Sequence, residues 1–177
     1  MNLAVSYAQI QGPRAEHQDA YYGSASNKTR VFTVCDGMGG HEGGAIAAQL
    51  AVEAVRATFS RKPLQSESCS EQLHYSVMQA NESIFVAQKT SPKLATMGTT
   101  LVALVFNPWL PAEASAVWAG DSRIYRLRTN ELTQLTSDHS LMQRYRDQNP
   151  GLSTKELETL YIRQHRDAGS QLSDQRL

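Results

Sequence analysis

An aspartate followed at once by a run of glycines is the first feature of this chain that could do chemistry. The stretch "VFTVCDGMGGHEGG" covers residues 31–44, with five of the eight residues after Asp36 being glycine. Glycine loses more conformational freedom on folding than any other residue, so such a run implies a backbone that must approach something closely. One reading is a tight strand-to-helix turn with no ligand. A second is a phosphate cradle at a helix N-terminus. The glycine spacing departs from the dinucleotide fingerprint, and no strand with a terminal acid follows about 20 residues on. No Gly-Lys-Ser/Thr is present either, and Asp36 would repel a pyrophosphate. A third reading is a hard divalent cation, for which Asp36 offers two oxygens and Gly37 an unobstructed carbonyl. One carboxylate can also bridge two ions about 3.5–4 Å apart, the arrangement that hydrolyses phosphate esters.

Other candidates are scattered. Arg14, Gln18 and Asp19 lie in "RAEHQDA" (14–20), Asp121 in "WAGDSRIYRL" (118–127), and Asp138 with His139 in "LTSDHSL" (135–141). Taken singly, Arg14 reads as a surface arginine, Asp19 as a turn cap and Asp121 as a hairpin residue. Asp138 reads as a cap at a helix start, accepting backbone N–H groups. Cys35 and Cys69 show no framework spacing and are expected as reduced thiols.

These residues need elements to hold them. "RVFTVCD" is apolar and β-branched without a helical period, hence a strand. "GTTLVALVF" (98–106) is apolar on both alternating faces and reads as an interior strand. "ASAVWAG" and "SRIYRLR" (114–128) are expected as two strands around a turn at Gly120-Asp121, and "ELTQLT" (131–136) follows across a short hairpin at Thr129-Asn130. "GGAIAAQLAVEAVRATFSRK" reads as a helix packed on a sheet. Leu73, Val77, Ala80, Ile84 and Ala87 form the apolar stripe of a second helix, with Ser68 and Glu71 as its capping box. Ser153 and Glu156 repeat that signature and predict another helix toward His165. Strands, two helices and strands again favour an α+β fold with helices outside mainly antiparallel sheets.

The chain has 177 residues, consistent with one domain over 1–177, and 41% of them are hydrophobic, enough for a core. Lys+Arg and Asp+Glu both number 17, which excludes the charge excess of a bulk nucleic-acid or anionic-membrane binder. No run approaches the roughly 18 apolar residues of a membrane span. The first residues, "MNLAVSYAQIQ", lack the basic cluster and apolar run of a leader, so a cytoplasmic chain is expected.

Taken together, "RAEHQDA", "VCDGMGGH" (34–41), "MGTT" (97–100), "WAGDSRIYRL" and "LTSDHSL" resemble, in order and separation, the metal-dependent serine/threonine protein phosphatases of type 2C in their bacterial form. The resemblance covers about residues 5–145. It implies two antiparallel sheets face to face with helices outside each. It implies that Asp36 bridges two Mn²⁺ or Mg²⁺ ions, that Gly37 ligates one through its carbonyl, and that Asp19 holds metal-bound water together with Gln18. Arg14 would bind the substrate phosphate, and Asp121 would help to hold a third, weaker ion. The implied reaction is in-line attack of an activated water on phosphoserine or phosphothreonine of a protein, in opposition to a kinase, by a monomer. Some relatives carry a histidine at the position of Met38 that protonates the leaving group, and His41 is no substitute by default. The family pattern also supplies two later aspartates, one before Gly and one before Asn. The acids after Asp138 are Asp147, Glu156, Glu158, Asp167 and Asp174, and none is followed by either residue. The expectation is therefore a phosphatase domain short of its last strands and two metal ligands, with a non-catalytic binding module as the alternative.

Overall fold

The computed structural model describes residues 3–13, 15–25, 30–39, 43–61, 68–107 and 113–159. They form an α+β fold in two compact units, Met1–Thr136 and Ser137–Leu177. In the first unit the strands are β1 (Asp19–Ala25), β2 (Arg30–Met38), β3 (Gly98–Thr99), β4 (Leu101–Phe106), β5 (Ala114–Ala119), β6 (Tyr125–Arg128) and β7 (Glu131–Gln134). The helices are α1 (Gly43–Ser60) and α2 (Cys69–Gln88).

The main sheet runs β1-β2-β4-β5 with β3 beside the end of β2, and every pairing is antiparallel. Alternation along the strands sends Val31 and Cys35 of β2 and Leu101, Ala103 and Val105 of β4 into one core. Ala48, Ala51, Val52, Val55 and Phe59 of α1 and Leu73 and Ala80 of α2 meet them there. The alanines of α1 let the helix lie close on the sheet. The stripe on α2 is as spaced in the sequence, with Val77 and Ile84 packed at its edge. Ser68 caps α2 as expected: its hydroxyl accepts from the Glu71 N–H, and the Glu71 carboxylate accepts from the Ser68 N–H at 2.7 Å.

Several expectations change. The strand β1 is not marked in the sequence, yet it pairs with β2 along its whole length. The predicted strand 98–106 breaks at Thr100 into β3 and β4. The strands on either side of Gly120-Asp121 do not form a hairpin, because β5 closes the main sheet while β6 pairs with β7 in a separate two-stranded sheet. The turn between β6 and β7 is as predicted, with Thr129 and Asn130 both at positive φ (50 and 63). The second sheet is thus small. In the second unit, α3 (Leu141–Gln148) is capped by Ser140, whose hydroxyl accepts from the Gln143 N–H, and not by Asp138. The Ser153–Glu156 box is present, with helical residues from 154 to the limit of the described segment at 159.

Candidate metal centre

The end of β2 is where the sequence candidates converge. Asp36 is half-buried, and its backbone is fixed on both sides. Its N–H donates to Thr100 Oγ1 at 2.9 Å. Its carbonyl accepts from the Thr100 N–H at 2.9 Å and from Thr99 Oγ1 at 3.0 Å. On the opposite edge Asp19 is the register partner of Asp36. Asp19 is itself held by its N–H to His17 Nδ1 at 3.3 Å, and its carbonyl accepts from Gln9 Nε2 at 3.0 Å. Gly37 donates its N–H to the Gln18 carbonyl at 3.1 Å, which ties the segment before β1 to the glycine run.

A cavity of about 640 Å³ opens beside these groups, with Glu16, Gln18, Asp36, Gly37, Thr100 and Asp121 in its wall. A second recess of about 230 Å³ is lined by Glu16, His17, Gln18, Asp19 and Asp36. Asp36 lines both. Asp121 shares only the larger space and Asp19 only the smaller. Arg14 and His41 lie outside the described residues. Among the described residues no three His, Cys, Asp or Glu side chains gather into a group able to hold a metal. The acids in the wall of the larger cavity, Glu16, Asp36 and Asp121, and the carbonyls of the neighbouring Gln18 and Gly37 offer only oxygen. That donor set fits a hard divalent cation such as Mn²⁺ or Mg²⁺ in kind, with few acids to hold it.

Sequence reasoning did not single out Glu16, Thr100 or Ser122 at this site. Glu16 stands between Arg14 and Asp19 in a matched motif, which is the only signal it gives. Thr100 shows itself by a polar pair, Thr99-Thr100, at the head of an otherwise apolar strand. Cys35, next to Asp36, takes no part. It is fully buried, and burial pushes its thiol up to about 12 against a weaker pull from the Thr33 hydroxyl 3.9 Å away. It therefore stays protonated and is no nucleophile.

A family model described as Protein phosphatase 2C matches residues 13–170. The serine/threonine protein phosphatase PstP of Mycobacterium tuberculosis is 35% identical over 130 residues, which are 73% of this chain and 24% of that protein. The serine/threonine phosphatase stp of Listeria monocytogenes serotype 4b is 33% identical over 138 residues, 75% of this chain and 53% of that protein. The chain thus spans about a quarter of the first relative and about half of the second. The crystal structure of the M. tuberculosis PstP/Ppp phosphatase superposes with a TM-score of 0.68 at 34% identity, over 77% of this chain and 54% of that one. That of the PstP catalytic domain in complex with two manganese ions gives a TM-score of 0.66 at 34% identity, over 77% and 55%. The motifs around Asp19, Asp36 and Asp121, the antiparallel sheet that carries them and these matches agree: the chain belongs to the protein phosphatase 2C family.

Proposed function

We propose that this domain hydrolyses phosphoserine and phosphothreonine esters of proteins with the help of Mn²⁺ or Mg²⁺. The position of Asp36 carries the reading: a carboxylate at the junction of two cavities, on a backbone pinned at both its N–H and its carbonyl. Such fixing favours catalysis because a charged group already in place needs no reorganisation during reaction. The names of the related phosphatases support the substrate class, and the manganese in the PstP complex supports the cofactor.

In this reading the Asp36 carboxylate and the Gly37 carbonyl would hold the divalent cations. Asp19 would orient metal-bound solvent, and Asp121 would contribute to a further, weaker site. When bound, the cations supply a nucleophile from water near neutral pH and neutralise charge on the phosphoryl oxygens. Arg14 grips the phosphate through its planar fork. Met38 is exposed at the cavity wall and has no proton to give to the leaving serine or threonine oxygen. The reading extends to a monomeric single domain over 1–177, cytoplasmic and opposed to a serine/threonine kinase. Among the described residues no helix is long and apolar enough to cross a membrane.

The test is hydrolysis of a phosphothreonine peptide with added Mn²⁺. Asp36→Asn is expected to lower the rate by at least about 100-fold, the scale on which one preorganised electrostatic group contributes. Equal rates for the two proteins would remove the enzymatic reading. The sparse acid cluster among the described residues favours one second reading, a catalytically impaired fold that binds phosphorylated proteins. It is distinguished by retained phosphopeptide binding at background turnover.

A further inference from the structure

Thr100 lies between β3 and β4, and it is only 3% exposed. Its N–H donates to the Asp36 carbonyl, and its Oγ1 accepts from the Asp36 N–H, each at 2.9 Å. Both backbone polar groups of Asp36 therefore bond to this one residue, the carbonyl to Thr99 Oγ1 as well. The same hydroxyl lies 2.6 Å from Ser122 Oγ. Its methyl packs under Gly120, where a Cβ would come within 2.7 Å of Thr100 Cγ2 and where φ is +101. Gly120 and Ser122 flank Asp121 in the chain, so both neighbours of that acid rest on the residue that also grips Asp36.

We infer that Thr100 is a positioning residue that fixes Asp36 and Asp121 relative to each other, and so sets the affinity of their shared cavity for divalent cations. The inference rests on the metal reading proposed above. In it Thr100 acts through the two acids. Valine has the same outline without the hydroxyl, and it would leave the Asp36 N–H and the Ser122 hydroxyl without this partner. Serine would keep the hydroxyl and lose only the methyl. Groups that orient metal ligands from behind commonly set affinity by about 10- to 100-fold.

The test uses the full chain and two readouts. Calorimetric titration with Mn²⁺ is expected to show affinity reduced about tenfold or more in Thr100→Val, close to wild type in Thr100→Ser, and reduced to a smaller extent in Ser122→Ala. In metal-free two-dimensional NMR spectra the Asp36 and Asp121 amide signals should both move in Thr100→Val and stay in Thr100→Ser. A uniform loss of stability would not single out those two amides. Where Thr100→Val loses spectral dispersion, Ser122→Ala carries the test. Its Asp36 amide must shift, because the Thr100 hydroxyl that Ser122 contacts also accepts from the Asp36 N–H. Variants that bind Mn²⁺ as tightly as wild type overturn this inference alone. A wild-type chain that takes up no Mn²⁺ overturns the metal reading and this inference together.

Discussion

At the residue scale, the glycines after Asp36 answer first to packing. A Cβ on Gly37 would run into the carbonyl oxygen of Gly44 and lie 2.5 Å from that of Gln18, and one on Gly44 would run into the Gln18 side chain. The segment before β1, the end of β2 and the start of α1 thus meet within the space of one methyl group. That contact brings Gln18 and Asp19 beside Asp36. Because the obstacles at Gly37 are backbone atoms, no side-chain rotation relieves them. Gly37→Ala should therefore destabilise the chain by about 3 kcal/mol or more, the upper range for overpacking, as measured by urea unfolding. An alanine variant as stable as wild type would show that the close approach is not what selects glycine. The sequence showed that the backbone had to come near something at this point, and it placed Asp36 at the strand end. It did not show that the neighbour is the protein's own backbone, because that neighbour is seven residues on in one case and nineteen back in the other. Thr100 was illegible for the same reason. A threonine at the head of an apolar strand has the propensity of a strand residue, and its bond to the Asp36 N–H joins positions 64 residues apart.

At the element scale, local signals survived and pairings did not. The start of α2 was legible because its capping box is satisfied within four consecutive residues. The same local logic identified the β6–β7 turn. By contrast, "DAYYGSA" has small residues and adjacent tyrosines rather than a clean alternation, and it becomes a strand because β2 offers it an edge. The Gly120-Asp121 turn looked like a hairpin, yet the chain leaves the main sheet there with Gly120 packed on Thr100. The α2 cap makes a measurable prediction. Ser68→Ala removes the acceptor for the Glu71 N–H and should cost about 1 kcal/mol, or about 3 °C in Tm for a chain of this size. The Ser68 backbone N–H, followed by its hydroxyl, holds the Glu71 carboxyl below its ordinary 4.5. A depressed carboxyl adds stability that is present above the ordinary value and is lost as pH falls through the lower folded value. The difference in Tm between wild type and Glu71→Gln should therefore be largest above pH 5 and shrink on acidification. A difference that grows toward low pH would rule out the carboxylate as the capping group.

At the scale of the whole molecule, stability is distributed unevenly, and the candidate site lies on the boundary. β2 and β4 sit inside the main sheet with Val31, Cys35, Leu101 and Ala103 at most 4% exposed. Two helices cover that face. The β6–β7 hairpin is a different object. Of its eight strand residues only Thr133 is not exposed, and the cross-strand pair Leu127 and Leu132 is 70% and 65% exposed. A lone two-stranded hairpin is marginally stable in water, and this one is closed at its base by the Ile124 N–H to Thr136 Oγ1 at 3.2 Å. Asp36 belongs to the stable part and Asp121 lies on the connection toward the weak one. Local opening should follow that division. In native-state hydrogen exchange, amides of β2 and β4 should be the slowest in the chain, and those of β6 and β7 should exchange at least about 100-fold faster. Saturating Mn²⁺ should slow exchange at the Asp121 amide more than within the hairpin, because a ligand stabilises the elements that hold it. Equal protection across β2 and β6 would mean that the hairpin opens only with the core, and Asp121 would then be as rigidly held as Asp36.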